Sequence, residues 1–493
     1  MVFLYIALPL AVASVLPLVG RWSKRVLPDI LANATLLFLL AYSVTVARQT
    51  VVDGHGIGPL LWFGEPIAIR MALDGFSLLM LGTIALVSFC VTLFSVDYME
   101  HYGAKANFYA LLLLMIAGMN GLVLTTDLFG IYLFLEVAAV ASYGLVAFGL
   151  GHDELEASFK YLMLSAVGSS FVVLGVAILF GLTGSLAMAD VAKNLQTLRN
   201  PHAVGFCTAL FLTGFGLKAA VVPFHAWLPD AHPSAPAPIS AMLSGLLIKV
   251  SGVYAMTRIF LNVFGLTPAV STVLMVLGTL SMVAGAVIAL GQNDIKRMLA
   301  YSSISQIGYV LLGIGLGTPL GIMGGLFHLV NHAVFKALLF LNSGSIERST
   351  GTRALDRMGG LAKRMPITAA TSATASLAIA GIPPLNGFWS KLIIIIALVQ
   401  AKRHAFALIA VLSSVLTLWY YLIIQRRAFF GQLNEAWKDV KEAPVWMSAS
   451  TIILALLCVV LGLLFPVVIS RWIEPATRVL ASGIDPIQNL LVP

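Results

Sequence analysis

Four lysines of this 493-residue chain, Lys218, Lys249, Lys336 and Lys391, lie inside long apolar stretches, and so do Glu136, His328 and His332. Removal from water disfavours a charged ammonium, so a lysine in such a place can surrender and regain a proton. A lone carboxylate there must be neutral or paired. Histidine titrates near pH ~6.5 and can accept on one ring nitrogen while donating from the other. Together these are the residue types of a proton-transfer chain.

Their spacing sharpens that reading. His328, His332 and Lys336 fall in GLFHLVNHAVFKALLFLNSG at intervals of four and four, which stacks them on one helix face. Two histidines at this spacing can hold zinc, but the third ligand and carboxylate of a HExxH-type site are absent, so no metal site is read. Lys218 lies in LTGFGLKAAVVPFHAWLPDAH with Pro223 and Pro229, and Lys391 in AGIPPLNGFWSKLIIIIAL behind Pro383 and Pro384. Proline removes a backbone donor, so both segments are predicted to be broken helices. Unwound backbone at membrane depth is tolerated only where protein or water covers it, which suits an ion site. The lysine precedes the break in one segment and follows it in the other. Lys249, in APAPISAMLSGLLIKVSGVYAM, is too far from either end to snorkel, and Ser240, Ser244 and Ser251 could support a water chain beside it. Asp127, after Thr125 and Thr126, reads as a helix N-cap. Glu136, deeper in the same segment, has no such role.

The elements that must hold these residues are membrane spans. The chain is 59% hydrophobic and 10% charged, against about 25% charged in soluble proteins. Apolar runs predict an all-α polytopic protein with about fourteen transmembrane helices, near 3–20, 29–48, 75–97, 108–125, 127–150, 157–185, 203–222, 238–263, 269–291, 297–317, 319–346, 366–400, 404–426 and 447–472. The first, followed by Arg21, Lys24 and Arg25, reads as a retained span and not a cleaved signal. Loops on one side hold sixteen basic residues, Lys105, Lys160, Lys296 and Arg297 among them. Loops on the other hold nine, including Arg48, Arg70, Lys193, Arg199 and Arg258. The positive-inside rule then puts both termini outside the cytoplasm. The net charge of +8 reads as this topology signal and not as affinity for nucleic acid. Cys90, Cys207 and Cys458 stand singly in apolar runs as small apolar residues. Asp294, Lys296 and Arg297 read as interface anchors, and 348–364 and 426–442 as solvated loops.

The segments LFLE at Glu136, GLKAAVVPFHAWLPDAHPSAPAPISAMLSGLLIK, QNDIKRMLAYSSISQIGY, HLVNHAVFKALLFL and GIPPLNGFWSK together closely resemble the antiporter-like subunits of complex I and of multisubunit Mrp cation/proton antiporters. The resemblance runs over roughly residues 70 to 400. It implies two inverted five-helix repeats and two half-channels joined by a hydrophilic axis at mid-membrane. Its Glu–Lys pair falls on Glu136 and Lys218, its connecting lysine on Lys249, its histidine helix on His328 and His332, and its exit lysine on Lys391. The implied division is 1–107 for the N-terminal helices, 108–263 and 264–426 for the two repeats, and 427–493 for the C-terminal loop and last span.

Within that family the chain is most similar to the D subunit of the Mrp antiporter. One complex I subunit carries glutamate where Lys391 stands, and neither a long C-terminal amphipathic helix after about residue 472 nor the extra domain of the Mrp A subunit is read. The resemblance implies a proton-translocating subunit of an Mrp-type sodium/proton antiporter in the cell (plasma) membrane, with other membrane subunits as partners and with protons and sodium as the ions. The alternative is a proton-pumping subunit of a complex I-like NADH:quinone oxidoreductase or a membrane-bound hydrogenase. No cofactor is expected, because the chain holds no flavin fingerprint, haem motif or iron–sulfur cysteine set. A small-solute permease would also use broken helices, but a file of protonatable groups without a substrate pocket argues against it. A passive scaffold leaves four buried lysines unexplained.

Overall fold

A computed structural model describes residues 2–53, 59–62, 68–198 and 200–483. Among them, thirteen helices are long and apolar enough to cross a membrane, from Leu4–Trp22 to Val445–Leu463. Two shorter helices, Pro366–Ala380 and Asn386–Gln400, follow one another as the two halves of a further crossing. Thirteen spans are thus present among the described residues, with this pair of shorter helices where the sequence predicts the remaining one, 366–400. A two-stranded antiparallel hairpin, Pro59–Trp62 with Ala68–Arg70, joins the second and third spans. The sequence reading did not anticipate it, nor that the last span stops at Leu463. Helical turns then resume from Phe465 to Ala481, and the segment Glu474–Ala481 packs on Gly75–Tyr98 and Pro319–Thr350. Arg199, one of the nine basic residues of the topology count, lies outside the described residues.

Lipid gives little hydrophobic drive for helices to associate, so close packing through small residues has to do it. Pro268–Leu290 and Ile295–Gly315 meet at Gly278 and Gly308, where a Cβ on either would collide with the other's carbonyl oxygen. Gly252 plays the same part for the site: a Cβ there would strike the Ala219 backbone, at the end of the first half of a broken span. Two helices are enclosed over a membrane-length stretch, Ala237–Val263 and Pro319–Thr350. The former carries Lys249 within a run of wide π turns, a feature that recurs at functional positions in helices.

Both expected breaks are present. The first span runs Pro201–Ala219, turns through residues 220–227 and resumes as Leu228–Ser234. Pro223 lies in that turn, whereas Pro229 is not a breaker: it occupies the first turn of the resumed helix, where a missing N–H costs nothing. Pro383 and Pro384 lie in the turn between Ala380 and Asn386.

Candidate functional site

The residues singled out by type are gathered into three clusters. In the first, the Lys218 ammonium sits in the last turn of Pro201–Ala219, 2.6 Å from the Ser165 hydroxyl and 3.5 Å from Glu136 Oε1. Ser165 and Ser169 both come from His152–Thr183, and the Ser169 hydroxyl donates to the Glu136 carboxylate. Asp127 is the N-cap of the Glu136 helix, accepting from the backbone N–H groups of Phe129 and Gly130. Trp227, stacked on Tyr161 with ring centroids 4.3 Å apart, donates from its indole to the Leu217 carbonyl and so pins the break beside Lys218.

In the second cluster, Lys249 donates to the Ser244 carbonyl. The Ser244 and Ser303 hydroxyls are 2.7 Å apart, and Ser303 donates to the Leu299 carbonyl. That carbonyl also accepts from Lys336 at 2.7 Å, and Lys336 reaches the Tyr421 hydroxyl at 3.2 Å. Two buried ammoniums are therefore linked through hydroxyls and carbonyls.

In the third, His328 is held at both ring nitrogens, Nδ1 at 2.9 Å from the Ser390 hydroxyl and Nε2 at 3.2 Å from Gln306 Oε1. Lys391 follows Ser390 in the chain, donates to the Ile379 carbonyl at 2.8 Å and to the Ser414 hydroxyl at 3.1 Å, and lies over the Tyr309 ring. His332, one turn after His328, is fully buried with no protein partner at either nitrogen.

The buried cations divide into two kinds. Lys105, Lys296 and Arg258, counted by sequence as loop or interface residues, are buried as well, because each is paired: Lys105 with Asp29 at 2.7 Å, Lys296 with Glu347 at 2.6 Å and Arg258 with Asp74 at 2.8 Å. Among the described residues, Lys249, Lys336 and Lys391 have no carboxylate partner, and their hydrogen bonds go to carbonyls and hydroxyls. A buried charge without a counter-ion is costly. These three are the lysines for which giving up the proton removes that cost.

Sequence reading also passed over His232. It is fully buried in the resumed half of the first broken span, stacked on Phe340, with neither ring nitrogen bonded to protein. Beside it, a polar cavity of about 400 Å³ is lined by Tyr98, His101, Glu154, Lys296, Glu347 and Arg353. Lys296 donates to the Ala235 carbonyl, so the cavity sits at the N-terminal end of the Lys249 helix.

Residues 125–417 match the protein-family model described as "NADH:quinone oxidoreductase/Mrp antiporter, TM". Residues 63–109 match "NADH-Ubiquinone oxidoreductase (complex I), chain 5 N-terminus". The chain is 33% identical to the N subunit of NADH-quinone oxidoreductase from Desulforudis audaxviator, over 96% of this chain and 97% of that protein. It is 33% identical to the D subunit of the Na(+)/H(+) antiporter from Alkalihalophilus pseudofirmus, over 88% of this chain and 87% of the other. Among solved structures it is similar to a chain of the Mrp complex from Dietzia sp., with a TM-score of 0.90, 30% identity, and 100% and 99% of the two chains covered.

Proposed function

The chain belongs to the family of NADH:quinone oxidoreductase and Mrp antiporter membrane subunits, and from that membership we propose that it moves protons along Glu136, Lys218, Lys249, Lys336, His332, His328 and Lys391 as one subunit of an Mrp-type sodium/proton antiporter. The observation that carries the reading is the set of three counter-ion-free lysines, Lys249, Lys336 and Lys391, tied to neighbouring elements by serine, tyrosine and backbone oxygens. Each can load and unload a proton without breaking an ion pair. Lys218 differs, because its charge is coupled to Glu136 through a contact that Ser165 and Ser169 hold in place. Protonation changes at Lys249 then act on that pair electrostatically, and His328 hands the change towards Lys391.

The Glu136 side chain is 29% exposed, in contrast to the 3% of Lys218. A carboxylate at that depth does not face hydrocarbon without a large cost. The flank that bears it is a face for another membrane subunit, in keeping with the large membrane complex to which the fold is similar. The division into halves at 108–263 and 264–426 is supported by the position of the breaks, since the fourth span of each five is the interrupted one. Both termini lie outside the cytoplasm, a reading supported by the excess of basic residues in the alternating loops, which persists when the buried, paired Lys105, Lys296 and Arg258 are all left out. The membrane is the cell (plasma) membrane.

The test uses the intact complex in proteoliposomes with a lumenal pH dye. A sodium gradient drives proton movement in the wild type, and Lys249→Ala abolishes it with the complex still assembled. Proton movement that ignores sodium but follows an electron donor and quinone would replace the antiporter reading with the respiratory one, which the similarity to the N subunit of the quinone reductase favours. Normal sodium-driven movement in Lys249→Ala would end the axis itself.

A further inference from the structure

The two ends of the Lys249 helix are built differently. At its N-terminal end lie the polar cavity, the Lys296–Glu347 pair and His232 with two unbonded nitrogens. The C-terminal end, on the opposite side of the bundle, carries instead the Arg258–Asp74 pair, with Arg258 also bonded to Asn262. Between Lys249 and Arg258, on the order of two turns, every side-chain polar group is already bonded. Ser251 and Thr257 donate to their own helix at the Leu247 and Val253 carbonyls, and the Tyr254 hydroxyl donates to the Val123 carbonyl. The rest is apolar, Val250, Gly252, Val253, Ala255, Met256 and the Tyr254 ring, the last packed on Phe76 at 4.4 Å between centroids.

Beyond this layer Arg258 makes a two-pronged contact with Asp74, at 2.8 Å to Oδ2 and 3.0 Å to Oδ1, and also donates to Tyr254. Its guanidinium lies over the Phe76 and Tyr254 rings. Burial would raise the Asp74 carboxyl, but Arg258 and the Ser77 N–H together hold it below the usual carboxylate range. Asn262, which accepts from Arg258, donates to the Val479 carbonyl and so fastens the C-terminal helix over the pair.

We propose that the Arg258–Asp74 pair, with the Phe76–Tyr254 layer above it, is a proton seal that closes Lys249 off from the membrane face opposite the Lys296–Glu347 cavity. Proton conduction along water or side chains needs an unbroken file of hydrogen-bonding groups that can both accept and release. This segment offers none, since its hydroxyls are committed and a guanidinium does not give up its proton. An axis open to both faces would let protons run down their gradient without moving the coupled ion. Arg258 is thus a positioning residue that confines exchange at Lys249 to one side. The inference rests on the proton axis proposed above.

The test is passive leak, measured in proteoliposomes of the intact complex under an imposed pH gradient, with sodium equal on both sides and no electron donor. Arg258→Met leaves the Asp74 carboxylate buried and unpaired, draws in water, and raises proton leak about tenfold. Arg258→Lys keeps a cation, but one that can lose its proton, and gives a smaller increase. Arg258→Met with Asp74→Asn removes both charges, keeps the helix cap and brings the leak back towards wild type. Wild-type leak in assembled Arg258→Met and Arg258→Lys complexes overturns the seal. A double variant as leaky as Arg258→Met also overturns it, since packing damage would then suffice. Sodium-driven movement in the Lys249→Ala complex reports separately on the axis, so a failure of the seal is not confused with a failure of the axis.

Discussion

The ammonium of Lys391 lies 2.8 Å from the carbonyl oxygen of Ile379, on the far side of the break that precedes it. In sequence the lysine comes before the break at Lys218 and after it at Lys391. In space both lysines lie beside the end of the first half of a broken span. Lys218 occupies the last turn of Pro201–Ala219, and Lys391 reaches back to Ile379 and Ala380 at the end of Pro366–Ala380. The Lys391 ammonium therefore meets the carbonyl end of an interrupted half-helix, which carries about half a negative charge, whereas the Lys218 ammonium is bonded to Ser165 and paired with Glu136. At Lys391 that partial charge stands where Lys218 has a fixed counter-ion.

Lys391→Arg separates charge from proton transfer. Arginine keeps a cation at the carbonyl end but does not release a proton. Sodium-driven proton movement should fall at least about tenfold, as for Lys391→Met, while the complex assembles normally. A Lys391→Arg complex that transports at the wild-type rate would mean the site needs only a positive charge.

At the first cluster the carboxylate and the serine should separate by size of effect. Glu136→Gln removes the charge coupled to Lys218, and transport should drop about tenfold or more. Ser165→Ala removes one hydrogen bond to a charged group, about 1.5–3 kcal/mol, but leaves the pair, so a smaller loss with a normal amount of assembled complex is expected. Initial rates of dye response in the two variants decide this, and equal losses would refute the ordering.

Paired and unpaired lysines should respond oppositely in stability. Lys105→Met strands Asp29 and the Tyr109 hydroxyl bonded to it. Breaking a buried pair costs about 3–5 kcal/mol, less here because Asp29 is partly exposed, so the melting temperature should fall while transport per assembled complex persists. Lys249→Ala removes a charge with no carboxylate partner, so the melting temperature should hold while transport is lost. Thermal melts of purified complexes beside transport assays read both. A large drop for Lys249→Ala with none for Lys105→Met would invert the distinction.

The spans were legible because an apolar run of membrane length has few other destinies, and the four lysines followed by subtracting loop charges from the total. The same subtraction misplaced Lys105, Lys296 and Arg258. Their carboxylates, Asp29, Glu347 and Asp74, come from helices distant in sequence, and one-dimensional position does not report pairing. The connecting groups were hidden for a related reason. AYSSISQIGY falls within the predicted span 297–317, and only the packing turns Ser303 towards Ser244 and Gln306 towards His328. Pro229 resembled a second breaker because a proline at the first turn of a short helix and one inside a long helix look alike without the boundary.

His332 tests the axis where structure and transport are most cleanly separable. His328 is fixed at both nitrogens, so His328→Leu strands Ser390 and Gln306 and should lower stability by about 1–3 kcal/mol along with transport. His332 bonds to no protein group. His332→Leu therefore breaks no protein hydrogen bond and is near in volume, with an expected stability change under about 1.5 kcal/mol. If the ring serves only to fill space between Lys336 and His328, transport should survive with it. If its nitrogens relay protons, transport should fall at least about tenfold in a complex that melts like wild type. Unchanged transport in His332→Leu would remove this residue from the route and leave Lys336 and His328 to be joined another way.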